Sequence, residues 1–271
     1  IRSAVEQLGL ESFAPGDVLI ANDPYLTGTH ISDTTVFMPV FAEDGLVAFT
    51  AVTAHWADIG GKEPGGWCPD SVDVYQEGLC FGYQRLHRAG ERNEDLWRLI
   101  RDNVRVPAMV IGDLQAQIAA CRQGAERIEA LCARYGAEDL RASMVRAIEA
   151  TARALGEELA RVPEGRYSAS IGLDSDGVSE DGEFIIALTV TVADGRLHVS
   201  FDGTSPAARG PINIPEVGTR GAIATVVKGL LMPLDATNEG HAAIIDYDIQ
   251  PGPLVSPPRP PPVGGDGYAL E

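Results

Sequence analysis

Two runs of β-branched and aromatic residues, Thr35 to Phe41 and Leu46 to Thr53, stand on either side of Glu43-Asp44-Gly45. Runs of that composition favour strands, and a short link ending in glycine joins them as a β-hairpin. A hairpin constrains a fold strongly because it fixes which residues end up side by side. The chemistry collects at its open end. His30-x-x-Asp33 precedes the first run, and His55-x-x-Asp58-Ile59-Gly60-Gly61 follows the second. The ends of an antiparallel pair lie together, so two of the chain's five histidines are predicted to meet, each three residues ahead of an aspartate.

The flanks complete an α+β reading. Residues 1–9 read as the end of a helix, and Pro15-Gly16-Asp17 turns the chain into the apolar strand Val18-Leu19-Ile20-Ala21, followed by the Asn22-Asp23-Pro24 loop. Residues 60–82, rich in Gly and Pro, predict a long loop able to line a cleft. Leu114, Ile118, Cys121, Ala125, Ile128, Cys132 and Tyr135 advance by three and four until Gly136, and Leu140, Met144, Ile148, Thr151, Leu155 and Leu159 do so until Pro163. Together they predict an antiparallel helical pair. From residue 165 the period changes to two: Phe184 to Val192 and Leu197 to Phe201 alternate as strands about an Asp194-Gly195 turn, and Ala222 to Leu231 reads as a short apolar helix before Pro233. The expected regions are therefore 1–105, bearing the hairpin and its histidines, a helical pair at 106–162, and a β-rich region at 163–271 with a Pro-rich tail.

With 45% hydrophobic and 22% charged residues in 271, the chain can bury a substantial core. Its net charge of -18 repels phosphate backbones and anionic membrane surfaces, which argues against nucleic acid or membrane as a partner. No stretch approaches the roughly 20 apolar residues needed to cross a bilayer, and the start lacks the pattern of a secretion signal, so the cytoplasm is the expected compartment. Cys68, Cys80, Cys121 and Cys132 show no CxxC spacing and read as structural thiols. His87, His198 and His241 lack partners nearby in sequence and read as surface residues. The opening on Ile1 and the close in Ser256-Pro257-Pro258-Arg259-Pro260-Pro261-Pro262 suggest a fragment of a longer polypeptide.

Imidazole and carboxylate together suit Zn, Mn or Fe. Two histidines and one aspartate leave positions open, and a water bound at an open position has its pKa lowered towards neutral. His30, Asp33 and His55 are the first candidates as ligands. Asp58 is either a fourth ligand or a carboxylate orienting His55. Asp23 is either a further ligand or a turn aspartate bonding nearby backbone. Glu77 serves as general base or substrate contact, or is a solvated loop residue. The alternative for both blocks is a pair of strand-end histidines hydrogen-bonded to carboxylates without metal. No GxxxxGK[ST], GxGxxG or GxSxG sequence of the right context appears, so ATP, if needed, must sit on a partner.

Taken together, Gly16-Asp17-Val18-Leu19-Ile20-Ala21-Asn22-Asp23-Pro24, Gly28-Thr29-His30-Ile31-Ser32-Asp33, His55-Trp56-Ala57-Asp58-Ile59-Gly60-Gly61, Pro64-Gly65-Gly66 and Gln76-Glu77-Gly78 resemble the hydantoinase B/oxoprolinase family. Asn103-Val104-Arg105 and Gly112-Asp113-Leu114-Gln115-Ala116-Gln117 extend the likeness over nearly the whole chain. The resemblance implies an ATP-dependent hetero-oligomer. A separate A-type subunit would bind ATP and Mg and phosphorylate a small cyclic substrate, while the B-type part holds a metal near the second chemical step. It carries His30, Asp33 and His55 over as metal ligands. In hydrolytic members the metal-bound water would open an activated lactam, hydantoin or imide; in the related acetone and acetophenone carboxylases the site serves carbon-carbon bond formation. The resemblance also implies a further acidic ligand upstream of Ile1 and a family chain continuing past the matched region, with the Pro-rich end a poor fit. A third reading is a non-catalytic assembly subunit whose apolar helices dock a catalytic partner.

Overall fold

In the computed structural model, which describes residues 1–42, 45–179 and 182–270, the chain forms two units. The first comprises residues 1–68 and 75–141, and the second 69–74 and 142–271. The helical residues 106–162, set apart as one region by their period, are thus shared between the units, and the long loop after His55 gives residues 69–74 to the second.

The first unit is built on a five-stranded sheet. Its strands are β1 (Val18–Ala21), β2 (Asp33–Ala42), β3 (Gly45–His55), β4 (Gln84–Arg88) and β5 (Glu91–Arg92), in spatial order β3-β2-β1-β4-β5 and antiparallel throughout. The pairing of β2 with β3 is the hairpin read from the sequence; the Glu43 and Asp44 part of its proposed turn lies outside the described residues. Register runs unbroken from Asp33↔His55 to Val40↔Ala48, then shifts at a bulge between Val40 and Phe41. Both faces of the sheet are covered, which is why β1 is apolar at every position. On one face Phe37 joins Phe13, Leu19 and Ala4 of helix α1 (Arg2–Leu8), with Phe49 edge-on to Phe13 at 5.1 Å. The next residue, Thr50, points the opposite way and donates to the Cys121 carbonyl of a long helix at 3.0 Å. Gly124 of that helix sits where a Cβ would come within 2.9 Å of Thr50, so a glycine is needed for so close an approach.

The short helix α2 (Pro24–Thr27) follows β1, and α3 (Glu94–Asn103), capped by the Asn93 side chain, precedes that long helix, α4 (Pro107–Tyr135). The apolar stripe of α4 buries Val110, Leu114, Ile118, Cys121, Ala125 and Cys132, and the helix lies on β2 and β3. The stripe of α5 (Ala137–Leu159) is buried only at its end, where Leu155 and Leu159 enter the core of the second unit. The two helices follow one another across Gly136, where the two periodic stripes place them. No disulfide joins the four cysteines among the described residues.

The second unit holds a four-stranded sheet of β6 (Gly165–Leu173), β7 (Phe184–Ala193), β8 (Arg196–Ser200) and β9 (Ile245–Asp248), in that order, with β8 and β9 parallel. The alternation is as read: Phe184, Ile186, Leu188, Val190 and Val192 join Leu197, Val199 and Phe201 in the core, under Leu155, Leu159 and the helix α6 (Glu216–Leu231). Asp194 and Gly195 both take positive φ, the geometry that matches a two-residue turn to the strand twist. The chain ends in the short helix α7 (Gly267–Leu270). No helix among the described residues is long and apolar enough to cross a membrane.

Two histidines depart from the surface reading. His241 is buried because it closes a capping box with Asn238. His87 is buried on β4, 6.2 Å from the Trp97 ring, and neither of its ring nitrogens has a hydrogen-bond partner. Burial, with Arg122 and Arg92 nearby and only Glu94 opposing them, pushes its pKa down. Its neutral form is therefore favoured in the fold, while the unfolded chain takes up a proton below about pH 6.5. Stability is expected to be full above that pH and to decline as pH falls towards the lowered folded value. Thermal melts from pH 8 to 5 check this: His87→Phe should flatten the acid-side decline, and an unchanged slope would remove His87 as its cause. His198, by contrast, is exposed and lies 3.3 Å from Asp246.

Candidate metal centre

Asp33 opens β2, His55 closes β3, and the ladder sets them directly opposite each other. Strand alternation puts both side chains on the face shared by Phe37 and Phe49, one step beyond the Thr35–Thr53 pair, whose hydroxyls are 2.7 Å apart. His30 reaches the same place from the preceding turn, which the Asp33 N–H closes by donating to the His30 carbonyl at 3.0 Å. His30 Nδ1 lies 3.3 Å from Asp33 Oδ2, and the two imidazole rings are 5.0 Å apart between centroids. One ligand atom from each of the three side chains falls within 4.8 Å of the others. His30 and Asp33 are half-buried and His55 is exposed, so the cluster is open to solvent.

The other candidate carboxylates are placed differently. Asp58 is 2% exposed and accepts from four donors: the Arg105 backbone N–H at 2.8 Å, the Arg105 guanidinium at 2.9 Å, and the Gly60 and Gly65 N–H groups at 3.2 and 3.4 Å. Burial alone would raise its pKa, but these bonds outweigh burial and hold the carboxyl below its ordinary range. It does not join the cluster; it ties the loop after His55 to the start of α4, with Arg105 also donating to the Gly61 carbonyl at 2.7 Å. Gly60 is part of the same tie. Its φ of 78° and the Asn103 carbonyl against its Cα leave no room for a side chain. Asp23 caps α2 by accepting from the Tyr25 N–H at 3.1 Å, as its turn reading has it, and it too stands outside the cluster. Glu77 is fully buried, which excludes the solvated-loop alternative, and its neighbours Gln76 and Leu79 bond back to Lys62 and Ile59.

A family model described as hydantoinase B/oxoprolinase matches residues 1–269. This chain belongs to the hydantoinase B/oxoprolinase family. The match includes the Pro-rich segment, so the expectation that this end fits the family poorly is corrected. The chain is 32% identical over 259 residues to the caprolactamase subunit beta of Pseudomonas jessenii, covering 93% of this chain and 43% of that protein. It is 29% identical over 262 residues to the acetophenone carboxylase delta subunit of Aromatoleum aromaticum, covering 95% and 38%. The crystal structure of the ATP-dependent caprolactamase from Pseudomonas jessenii superposes with a TM-score of 0.85 at 32% identity, over 97% of this chain and 45% of that one. The chain thus spans less than half the length of these relatives.

Two buried amides that spacing alone does not single out, Asn22 and Gln117, brace this hydantoinase B/oxoprolinase chain around the cluster. Fully buried Asn22 donates through Nδ2 to the Ile31 carbonyl at 2.7 Å and the Leu79 carbonyl at 2.9 Å, and accepts from the Phe81 N–H at 2.6 Å. It fixes the turn carrying His30 against the far end of the loop. Gln117 accepts from Trp56 Nε1 at 2.9 Å and donates to the carbonyls of Thr34 at 2.7 Å and Val52 at 3.1 Å. The available signal was a polar residue on the buried stripe of α4, between Leu114 and Cys121.

Proposed function

We propose that this chain is the metal-bearing part of a B-type component of an ATP-dependent cyclic-amide hydrolase, acting on an activated lactam, hydantoin or imide. The single observation that carries this is the convergence of His30, Asp33 and His55 at the open end of the hairpin, in a family that includes an ATP-dependent caprolactamase. The donor set fits a divalent ion. Ligand atoms about 2.0–2.2 Å from a tetrahedral Zn-like ion lie roughly 3.3–3.6 Å from one another, so the group, whose atoms lie within 4.8 Å of one another, would draw in by about an ångström on binding. The 3.3 Å between His30 and Asp33 is already that of neighbouring ligands.

His30, Asp33 and His55 would hold Zn, Mn or Fe. When bound, such an ion supplies Lewis acidity and lowers the pKa of a coordinated water. The chain's own share is to present two donors on a rigid strand pair and a third from the turn before it, leave one side open for substrate, and hold the loop after His55 through Asp58 and Arg105. ATP and Mg are assigned to an A-type partner subunit, since no phosphate-binding loop appears in this sequence.

The test is an assay of the full-length polypeptide with its ATP-binding partner. ATP-dependent opening of hydantoin, 5-oxoproline or caprolactam is expected, and turnover unaffected by His30→Ala would sink the proposal. Activity with bicarbonate and a ketone instead would support the second reading, a carboxylase subunit, which the likeness to the acetophenone carboxylase delta subunit keeps in view. A metal-free protein grown with all three ions available would favour an assembly subunit.

A further inference from the structure

We infer that Gln117 is a positioning residue for the His30/Asp33/His55 cluster, locking the two ligand-bearing strand ends together from the opposite face of the sheet. The inference rests on the proposal that the cluster holds a divalent cation. Asp33 and His55 point to the Phe37 face, whereas α4 lies on the other. From there the Gln117 amide bonds to the residue after each strand-borne ligand: to Thr34, which follows Asp33, and to Trp56, which follows His55. Its second N–H reaches Val52, three residues before His55.

The chemistry of the side chain explains the choice. A primary amide offers two N–H donors and one carbonyl acceptor, and here each has a partner on the hairpin or just beyond it. Gln117 is 2% exposed, on a stripe otherwise filled by Val110, Leu114, Ile118 and Cys121. Filling that space required only an apolar side chain, and a buried amide costs free energy unless it is hydrogen-bonded. Spanning both strands in one rigid plane is something an apolar residue cannot do. A ligand set must be held to within about 0.5 Å to bind well, and β3 is an edge strand with a neighbour on one side only. Gln117 supplies the missing restraint next to the ligands.

The experiment is a titration of the metal-free full-length polypeptide with Co2+, read by its visible d–d absorption, alongside thermal melts. Gln117→Met, close in shape but without the amide, is expected to weaken Co2+ binding about 10- to 100-fold, the range seen for groups that orient metal ligands, and to change the band shape. Leu114→Ala, one turn earlier and fully buried on the same stripe, should lower the melting temperature yet leave Co2+ affinity unchanged. Equal affinity for Gln117→Met and wild type, or equal weakening in both variants, overturns the inference. Should Gln117→Met fail to fold, Trp56→Phe, which removes one of the three bonds, decides it: weaker Co2+ binding supports the role and unchanged binding overturns it. Absence of any Co2+ spectrum in the wild type instead overturns the cation proposal, and the inference with it.

Discussion

If the proposed function holds, replacing His55 by alanine should cut turnover of the full-length protein with its partner by about 10³-fold, since a catalytic divalent ion supplies several kcal/mol and each 1.36 kcal/mol is a factor of ten. The same substitution should leave the fold almost untouched. His55 is exposed, ends an edge strand, and meets His30 only ring to ring at 5.0 Å. Exposed changes of that kind usually stay within about 0.5 kcal/mol. The pair of outcomes is what discriminates: kcat and melting temperature measured on one preparation should separate, with kcat collapsing and the melt holding. A chelator should reproduce the loss in the wild type, and the ion that restores it names the metal. If turnover survives in His55→Ala, the cluster is not where the chemistry occurs.

Asp58→Ala is expected to do the reverse, costing stability first. Removing one partner of a buried pair typically costs 3–5 kcal/mol. Here the guanidinium of Arg105 is 42% exposed, which favours the lower end, about 3 kcal/mol. The N–H groups of Gly60, Gly65 and Arg105 lose their acceptor as well. For a unit of this size that corresponds to a fall in melting temperature of roughly 6–12 °C. The pH dependence follows from the lowered carboxyl: its stabilisation is complete above the unfolded value near 3.9 and is lost as pH falls through the lower folded value. Acid melts of Asp58→Ala should lack that part of the decline. Loss of metal with no loss of stability would restore Asp58 as a ligand.

Much of this centre was legible because a hairpin converts sequence distance into spatial distance. Once Thr35–Phe41 and Leu46–Thr53 were read as paired strands, His30, Asp33 and His55 had to converge, and the ladder sets Asp33 opposite His55. The roles of the Asp58 carboxylate and the Asn22 amide were not legible, since they depend on partners far along the chain. Asp58 meets Arg105 and Asn22 meets Leu79 and Phe81, contacts between loops that carry no period. His87 and His241 misled for a related reason. Isolated polar residues look exposed in sequence, but one lies on a short strand beneath Trp97 and the other closes its own helical turn. The helices were legible as elements, since the apolar stripes on α4 and α5 each mark a buried side, but a stripe does not say what will cover it.

The bulge at Val40 and Phe41 divides the hairpin into two parts with different freedom to evolve. Side chains alternate faces along a strand, so a single residue inserted between the Asp33–His55 pair and the bulge would turn Asp33 or His55 away from the cluster. Beyond the bulge the register is already broken, and a change in length there need not propagate back. A change in length at the far end of the hairpin is therefore expected to leave the cluster in place, whereas one within the run from Asp33–His55 to Val40–Ala48 is expected to break it up.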